Sequence, residues 1–576
     1  MMSSDAGESD LSSLPTVPTS NAYLNIQMHE AISHDLRMSS VEGDSAVSSL
    51  PSVQTSNAQL NIQMQEAIFR THIRGIRIRP DNTNRAYLTR HEEFKKWCLD
   101  KRFIDGSTVT GDKLHLFLEE QVIGRTCRKR KSTDRHPPRK VGKSTVHGYT
   151  AAIVDLWRQQ TALQMNSHAN PRDSNVKRLL KNAEYETQQH RRENFVDRGI
   201  GTLIDGYTTT EQMVKIANVF WNKPRHFGQH LRNVCAFLVS HYGLLRGETV
   251  RNLDLSDMHS VQLEHEGFST CYALVFIIRQ GKTNQFGRNE FMAFIRSKDV
   301  RICLLGAMAF YLFWRFHIES EPFPDFSTSG NWFDDKFLKS GHCPQKSLDY
   351  KRHKDAINMV FKEIGLTSKA KTHAARGSGA RMAELAGASE YQIRRLGRWN
   401  NQSMENCYLT SLPREAIRTL AGFPPAQGNF FLNRAAIEPP AALKRMIFPF
   451  VEPTLEKIRT GEYHETIAAR GFLELLDRLR TVILQDSVPM KLQHPDPPIW
   501  SHAVFCSEPY NQLINDLKQT LDANCDPTEG VLQKAMPALS QKIQNMHADL
   551  KSTISAAILP VAENLTKLQN QFSDLV

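Results

Sequence analysis

One short stretch of this chain combines residue types that could together attack a phosphodiester. His373 and Arg376 form an H-x-x-R pair, Trp399 follows 23 residues after the arginine, and Tyr408 comes nine residues after the tryptophan. A tyrosine hydroxyl can act as a nucleophile, and an arginine fork can bind two non-bridging phosphate oxygens. Imidazole and indole N–H groups can donate to the same phosphate. Singly, such residues usually lie on solvated faces or in a core, so the spacing carries the signal.

Two further cations precede this stretch at positions that suit the same chemistry. The segment LLRGETVRNLDLSDM places Arg246 after a predicted helix that ends at Gly243. The segment CYALVFIIRQGKTNQFGRNEFMAFIRS alternates like two strands around a GKTNQFG turn, which predicts a β-hairpin with Lys282 at its tip. A lysine at such a tip is either solvated or placed to protonate a leaving oxygen.

Together these motifs resemble the signature of the tyrosine recombinase (phage integrase) superfamily, and the wider context is similar to the fungal crypton recombinases. The chain is also similar to the DNA-binding domain of the centromere-binding inner-kinetochore subunit of budding yeast, which shares their ancestry. The resemblance implies a mainly α fold with a small β-sheet. Its parts would be a helical core-binding domain, an α+β catalytic-type domain and an extra C-terminal helical region. The implied catalytic residues are Arg246, Lys282, His373, Arg376, Trp399 and Tyr408.

The first arginine motif also contains a departure from the recombinase pattern. Leu253 and Asp257 follow Arg246 at the family's intervals of seven and eleven residues. The family glutamate, however, usually falls three residues after the arginine, whereas Glu248 falls two after it. A role for Glu248 in orienting Arg246 therefore stays open.

The resemblance implies a reaction in which Tyr408 attacks the phosphorus and forms a 3′-phosphotyrosine. The two arginines would neutralise the pentacoordinate phosphorus, and His373 would assist proton transfer at the nucleophile. Lys282 would act as general acid, and Trp399 would orient the phosphate. The phosphotyrosine conserves the energy of the broken bond, so no metal, ATP or other cofactor is needed. The expected partner is double-stranded DNA, and strand exchange would require several protomers.

A rival interpretation keeps the fold and drops the chemistry. The centromere-binding relatives use it as a DNA clamp, so the chain could be a scaffold or a transcription or centromere-type regulator. Retention of all six polar positions favours catalysis, because holding DNA does not require the tyrosine. A phosphate-binding enzyme unrelated to DNA has little support, since the sequence has no Gly-rich phosphate loop.

Composition sets further bounds on the class of protein. The 576 residues suffice for three or four domains, and a net charge of +11 suits an acidic partner. Nine cysteines without a C-x-x-C motif indicate reduced thiols inside the cell and no structural zinc site. The polar start MMSSDAGESD is unlike a signal peptide, and no run reaches 18 apolar residues, so we expect no membrane span.

The first 72 residues are polar and contain a duplication. The sequence of residues 12–32 is repeated at residues 48–68, with 17 of 21 positions identical. Each copy has apolar residues at helical spacing, namely Leu60, Met64 and Ile68 in the second. The segment is interpreted either as a disordered tail or as a pair of docking peptides.

Four short helices are predicted between residues 73 and 190, as in a core-binding domain, followed by a polar linker over 191–205. The helices are predicted in NRAYLTRHEEFKKWCLD, DKLHLFLEEQVI, STVHGYTAAIVDLWRQQTAL and VKRLLKNAEYE. The second and third are joined by a basic loop whose densest part is Arg128, Lys129, Arg130 and Lys131. This loop could contact DNA phosphates, serve as a nuclear import signal, or be merely solvated. The resemblance places the protein in the nucleus.

The catalytic-type domain is predicted over residues 206–424. It includes LLGAMAFYLFWRF, interpreted as a buried helix, and SEYQIRRLGRWN, a helix with Ser389 as candidate N-cap. Arg394, Arg395 and Arg398 of that helix could reach phosphates or form an exposed face.

Residues 425–526 are predicted to be a helical domain in which we find no chemistry. Residues 527–576 are predicted to be a coiled-coil-like tail whose apolar seam is interrupted at Pro537 and Pro560. Two alternatives stand for this tail: self-association, or packing back on its own domain.

Overall fold

The computed structural model describes residues 57–127, 140–193, 205–279, 289–399, 411–464, 466–522 and 537–573. They belong to two compact units, residues 1–196 and 197–576. The fold is mainly α with a small β-sheet, as the sequence predicts. Among the described helices, none has the length and apolarity that a membrane span requires.

The first unit is a small helical bundle with its own core. Its helices are α1 (Asn57–Ile78), α2 (Asp81–Asp100), α3 (Gly111–Phe117), α4 (Lys143–Ala162) and α5 (Ser174–Glu193). A π-helical turn, Leu118–Val122, continues α3. The four predicted helices of residues 73–190 are confirmed, and they supply the core residues Phe94, Trp97, Cys98, Leu114, Phe117, Leu118, Val122, Val146, Tyr149 and Ile153. The duplicated residues Leu60, Met64 and Ile68 lie exposed on α1.

The second unit begins with helices that surround a three-stranded sheet. These are α6 (Thr210–Trp221), α7 (Phe227–Tyr242) and α8 (Gly247–Arg251), followed by β1 (Met258–Leu263), β2 (Cys271–Ile278) and β3 (Glu290–Phe294). The strands are antiparallel with β2 in the centre, and Ile278 pairs with Glu290 at the base of the β2–β3 hairpin. Both strands flanking the GKTNQFG turn are therefore confirmed. Strand β1 was not predicted.

The elements that carry the H-x-x-R motif follow the sheet. They are α9 (Leu304–Phe313), β4 (Lys339–Ser340), β5 (Cys343–Ser347), α10 (Tyr350–Glu363), α11 (Ala374–Leu385), α12 (Glu390–Gly397) and α13 (Arg414–Leu420). Every residue of α9 is buried, so the predicted buried helix is confirmed. A 3₁₀ turn, Lys371–His373, leads into α11.

Residues 430–517 of the C-terminal region share one hydrophobic core with the preceding segment. Its helices are α14 (Ala441–Arg445), α15 (Val451–Arg459), α16 (Ile467–Gln493), α17 (Glu508–Asp522) and α18 (Pro537–Ser573). The long helix α16 packs on β1 and on α9. Gly306 of α9 permits this approach, because a Cβ there would lie 2.4 Å from the Asp486 carboxylate of α16. Residues 205–522 are thus bound together around α9 and the sheet.

A buried ion cluster fixes α16 in place. We call it the Asp486 cluster: Asp486, Arg296 and Arg434. Arg434 Nε donates to Asp486 Oδ1 at 2.7 Å, and Arg296 Nη2 donates to the same oxygen. Arg434 also donates to the backbone oxygens of Ser297 and Lys298. Two cations on one carboxylate join segments that are 190 residues apart in the sequence.

Helix α18 corrects one prediction about the tail. It begins at Pro537 and runs unbroken through Pro560 to Ser573, so the interruption predicted at Pro560 is wrong. Proline removes one backbone donor and can kink a helix, but it does not end this one. Apolar residues of α18 are at least half exposed.

Candidate functional site

Arg246 is presented by a tight turn between α7 and α8. Helix α7 ends at Gly243, as predicted, and Leu244 adopts a positive φ of 46°. Positive φ is uncommon for a residue with a branched side chain, so the surrounding contacts must hold the turn. Arg246 follows as the half-buried N-cap residue of α8.

Arg376 of α11 holds this turn and the end of α12 at once. Its Nη1 donates to the Leu244 carbonyl oxygen at 2.5 Å, and its Nη2 donates to the Gly397 carbonyl oxygen at 2.8 Å. These bonds span 132 and 21 residues of sequence. The second arginine of the predicted site is therefore bonded to the turn that carries the first.

Trp399 stacks on the same guanidinium. The Cζ atom of Arg376 lies 4.5 Å from the centroid of the Trp399 ring, which is cation–π geometry. Gly397 makes room for the indole, because a Cβ there would lie 2.4 Å from Trp399 Cε3. Arg376 and Trp399 are thus in contact, and Arg376 is bonded to the turn that presents Arg246.

Helix α11 sits close to α7 because its first turns are made of small residues. A Cβ on Gly379 would lie 2.6 Å from the His241 carbonyl oxygen. Ser378 Oγ accepts a hydrogen bond from the Tyr207 backbone N–H at 3.1 Å. This close packing fixes the position of Arg376. His373 precedes the helix by one residue and is exposed.

Arg398 is a third arginine at this site, and its placement was not predicted. It adopts a left-handed conformation with φ of 54° at the end of α12, which turns its side chain inward, where it is 8% exposed. Its Nη2 donates to the Gly243 carbonyl oxygen at 2.7 Å, and its Nε lies 3.9 Å from Glu290 Oε2. We call Arg246, Arg376, Arg398 and Trp399 the arginine site.

The arginine site keeps a net positive charge, because three arginines lie near the single carboxylate of Glu290. Burial lowers the pKa of Arg376 to about 10, and the positive charges of Arg398 and Arg246 add to this effect. Burial also lowers the pKa of Arg398 to about 10, with Glu290 opposing the shift and Arg246 adding to it. A nearby anion would favour the charged forms of both. Clustered guanidiniums of this kind are suited to binding an anion such as a phosphate.

The base of the β2–β3 hairpin is tied down by an ion pair on each strand. Arg279 Nε, just after β2, lies 2.9 Å from Asp257 Oδ1, and Glu290 opens β3 beside Arg398. Burial raises the pKa of Asp257 to about 6 against the opposing charge of Arg279. Leu253 of the same motif is buried, whereas Glu248 is exposed.

Several predicted residues lie outside the described ranges. They are Lys282, Tyr408 and the basic-loop residues Arg128, Lys129, Arg130 and Lys131. Ser411, three residues after Tyr408 in the sequence, accepts a hydrogen bond from Arg395 Nη2. Arg394 pairs with Glu390 on the exposed face of α12 at 2.7 Å.

Two details of α12 differ from expectation. Ser389 occupies the N-cap position, but its side chain makes no capping bond and instead donates to Glu415 Oε2 at 3.2 Å. Arg398 does not share the exposed face of Arg394, because the left-handed residue at the helix end reverses its direction. Sequence reasoning also missed Glu290, whose only signal was a carboxylate inside an otherwise apolar strand.

Comparisons with known proteins give one family match and several distant structural similarities. A family model described as the centromere DNA-binding protein complex CBF3 subunit, domain 2, matches residues 160–511. No curated protein matches the sequence. A solved structure titled Flpe-Holliday Junction Complex is 13% identical with a TM-score of 0.34, covering 70% of this chain and 97% of that one.

Two other solved structures have similar scores. Ndc10, described as a platform for inner kinetochore assembly in budding yeast, is 11% identical with a TM-score of 0.32, covering 80% of this chain and 98% of that one. The XerH site-specific recombinase bound to a palindromic difH substrate is 14% identical with a TM-score of 0.29, covering 51% of this chain and 69% of that one.

Proposed function

Because the chain belongs to the family of the centromere DNA-binding protein complex CBF3 subunit, domain 2, we propose that it binds double-stranded DNA and holds one phosphodiester at the arginine site. The observation that carries the proposal is the convergence of Arg246 and Arg376 with Trp399, from positions up to 153 residues apart in the sequence. Guanidinium groups match the planar, bidentate geometry of phosphate oxygens.

The reaction we propose is that of a tyrosine recombinase of crypton type. The Tyr408 oxygen attacks the phosphorus, the bond to the 5′ oxygen breaks, and a 3′-phosphotyrosine forms. Lys282 gives its proton to the leaving 5′ oxygen, and His373 takes part in proton transfer at the tyrosine. Arg246 and Arg376 stabilise the extra negative charge on the phosphorane. Attack by a 5′ hydroxyl on the phosphotyrosine reverses the step and rejoins the DNA.

A second candidate function is a DNA-binding scaffold or centromere-type regulator without cleavage. The family match favours it, since the matched family is described by its DNA-binding role in a centromere complex. Under this alternative the arginine site would grip the DNA backbone while Tyr408 stays unreacted. Both candidates place the protein in the nucleus, and in both Arg394, Arg395 and the basic loop with Arg128–Lys131 would add phosphate contacts.

We also propose that α18 mediates self-association. Its apolar residues recur at intervals of three and four and are at least half exposed, namely Ile543, Met546, Leu550, Ile554, Ile558, Val561, Leu565 and Leu568. Such a seam suits a second copy of the same helix. Sedimentation of the full chain should give a mass above the monomer, and the Leu550→Glu, Leu565→Glu variant should sediment as a monomer. A monomeric wild type at tens of micromolar would overturn this part.

The test of catalysis is covalent capture of DNA on a nicked suicide substrate. Genomic footprinting first supplies the bound sequence, and the substrate is nicked so that a cleaved strand diffuses away and the adduct accumulates. Wild type should form an adduct that survives denaturing electrophoresis, and Tyr408→Phe should form none. Tyr391→Phe is the matched control, because Tyr391 is an exposed tyrosine of α12.

The two candidates are separated by the same gel and a binding assay. Tight, salt-sensitive binding of the footprinted sequence without any wild-type adduct would reject catalysis and leave the scaffold. An adduct that persists in Tyr408→Phe would assign the nucleophile to another residue. Failure of Arg246→Gln to weaken either binding or cleavage would reject the arginine site itself.

A further inference from the structure

We infer that Arg398 is a positioning residue that locks together the three segments carrying Arg246, the Lys282 hairpin and Trp399. The inference rests on the proposed function, because it takes the arginine site as the place where phosphate binds. Arg398 immediately precedes Trp399 in the chain. Its guanidinium reaches the other two segments through the Gly243 carbonyl oxygen and the Glu290 carboxylate.

The contact with Gly243 acts on the turn that presents Arg246. Gly243 stands three residues before Arg246, and the intervening Leu244 has positive φ. Arg376 bonds the next carbonyl of the same turn, so two guanidiniums hold two successive backbone oxygens. Hydrogen bonds from charged donors are stronger than neutral ones, and here they are also shielded from water.

The contact with Glu290 acts on the hairpin. Glu290 is 3% exposed and opens β3, directly after the segment that contains Lys282. The opposite strand is held by the pair of Arg279 with Asp257. Arg398 therefore holds the second strand at the base of the hairpin. The same side chain links this base to the turn that presents Arg246.

The strain at Arg398 supports a dedicated role. A non-glycine residue with φ of 54° is unfavourable, and its Nη1 atom is buried without a hydrogen-bond partner among the described residues. The positive φ belongs to the left-handed helix C-cap, which glycine or asparagine adopts at lower cost. The unpartnered Nη1 atom, by contrast, results from turning the guanidinium inward, so it is the arginine side chain itself that needs a role.

Arg398→Lys separates position from charge. Lysine keeps the positive charge but is a single point donor, so it cannot bond Gly243 and face Glu290 together in a fixed fork. Hydrogen exchange read by mass spectrometry should show amides of residues 243–246 and of the start of β3 exchanging at least about tenfold faster, while midpoints of urea unfolding stay unchanged. Arg445→Lys, at an exposed arginine of α14, is the control and should change neither.

A second experiment measures the rate of adduct formation and the affinity for inorganic phosphate. The rate of adduct formation should fall about tenfold or more in Arg398→Lys, whereas the affinity for inorganic phosphate should stay within about twofold of wild type. Arg398→Gln should reduce both, because it removes the charge as well. If Arg398 only stabilised the fold, Arg398→Lys would lower the rate of adduct formation and the affinity for phosphate together.

The outcomes separate this inference from the proposed function. Unchanged exchange in Arg398→Lys would overturn the inference whatever the chemistry. Faster exchange without any wild-type adduct would leave the positioning role standing and reject catalysis. An Arg398→Lys adduct rate within twofold of wild type would overturn the inference even if the amides exchange faster.

Discussion

Two of the buried arginine clusters in the second unit differ in how their charge is compensated. In the Asp486 cluster, Arg296 and Arg434 converge on one fully buried carboxylate. Burial tends to lower the pKa of Arg434, but Asp486 outweighs it, so the pKa is raised. In the arginine site the same residue type shows the opposite behaviour, because the pKa values of Arg376 and Arg398 are lowered to about 10.

We propose that this difference separates a cluster that stabilises the fold from one that binds a ligand. In the Asp486 cluster, both guanidiniums bond to the same carboxylate, and these bonds join α16 to the residues that follow β3 and to those that follow α13. In the arginine site, guanidiniums bond mainly to backbone carbonyls, which leaves their charge available to an anion. Lowered pKa values in a cluster of arginines are a functional signal of the kind expected at phosphate sites.

The largest expected effect is the loss of stability when the Asp486 cluster is disrupted. Asp486→Asn leaves two buried guanidiniums without their carboxylate, so we expect the free energy of unfolding of the second unit to fall by about 3–5 kcal/mol. Urea denaturation measures this change. Glu474→Gln is the control, because Glu474 is an exposed carboxylate on the same helix. A loss no larger than the control's would show that the cluster does not hold α16.

The next largest effect is expected at the arginine site, where a substitution should reduce cleavage but not stability. Arg246→Gln should reduce cleavage about 10²–10³-fold, because one charge-stabilising group is lost. The same substitution should leave the free energy of unfolding unchanged or raise it slightly, since it relieves repulsion with Arg376 and Arg398. Paired measurements of single-turnover cleavage and urea unfolding check both.

A matched charge control makes this result interpretable. Arg445→Gln removes one exposed positive charge from α14 and should alter neither property appreciably. If Arg246→Gln destabilised the protein as strongly as Asp486→Asn, the two clusters would be alike and the comparison would fail.

The smallest effect concerns Asp257 at the hairpin base. Its pKa of about 6 lies above the ordinary 3.8, so the folded state takes up a proton before the unfolded state does. Its contribution to stability is therefore gained as pH falls through 6. Wild type should gain about 1 kcal/mol between pH 7 and pH 5 that Asp257→Asn does not gain. Asp355→Asn, an exposed control, should follow wild type in urea titrations at the two pH values.

Local patterns predicted the elements well wherever one face of an element is buried. The inward residues of α2, α3 and α4 recur at helical spacing, and α9 is apolar on all sides. Strand β1 escaped notice because its sequence MHSVQL buries only its two ends. The continuation of the helix through Pro560 was not predicted, because one lost backbone donor does not outweigh the other hydrogen bonds of a 37-residue helix.

The arginine site was only partly predictable. Arg246, Arg376 and Trp399 were predicted from motif spacing, but the bond from Arg376 to the turn before Arg246 could not be, since it joins residues 132 positions apart. Arg398 was placed with Arg394 because both lie in one helical stretch, and nothing local signals its left-handed conformation. Asp486 carried a usable signal that was not used: a lone carboxylate in the apolar run TVILQDSV.

The most direct test of the account is a structure of the full chain with its footprinted DNA, captured with the Tyr408→Phe variant to prevent cleavage. We expect one phosphate at hydrogen-bonding distance, about 2.7–2.9 Å, from the guanidiniums of Arg246 and Arg376. The ring of residue 408 should face the same phosphorus. DNA bound on another face, with Arg246 and Arg376 contacting no phosphate, would contradict the account.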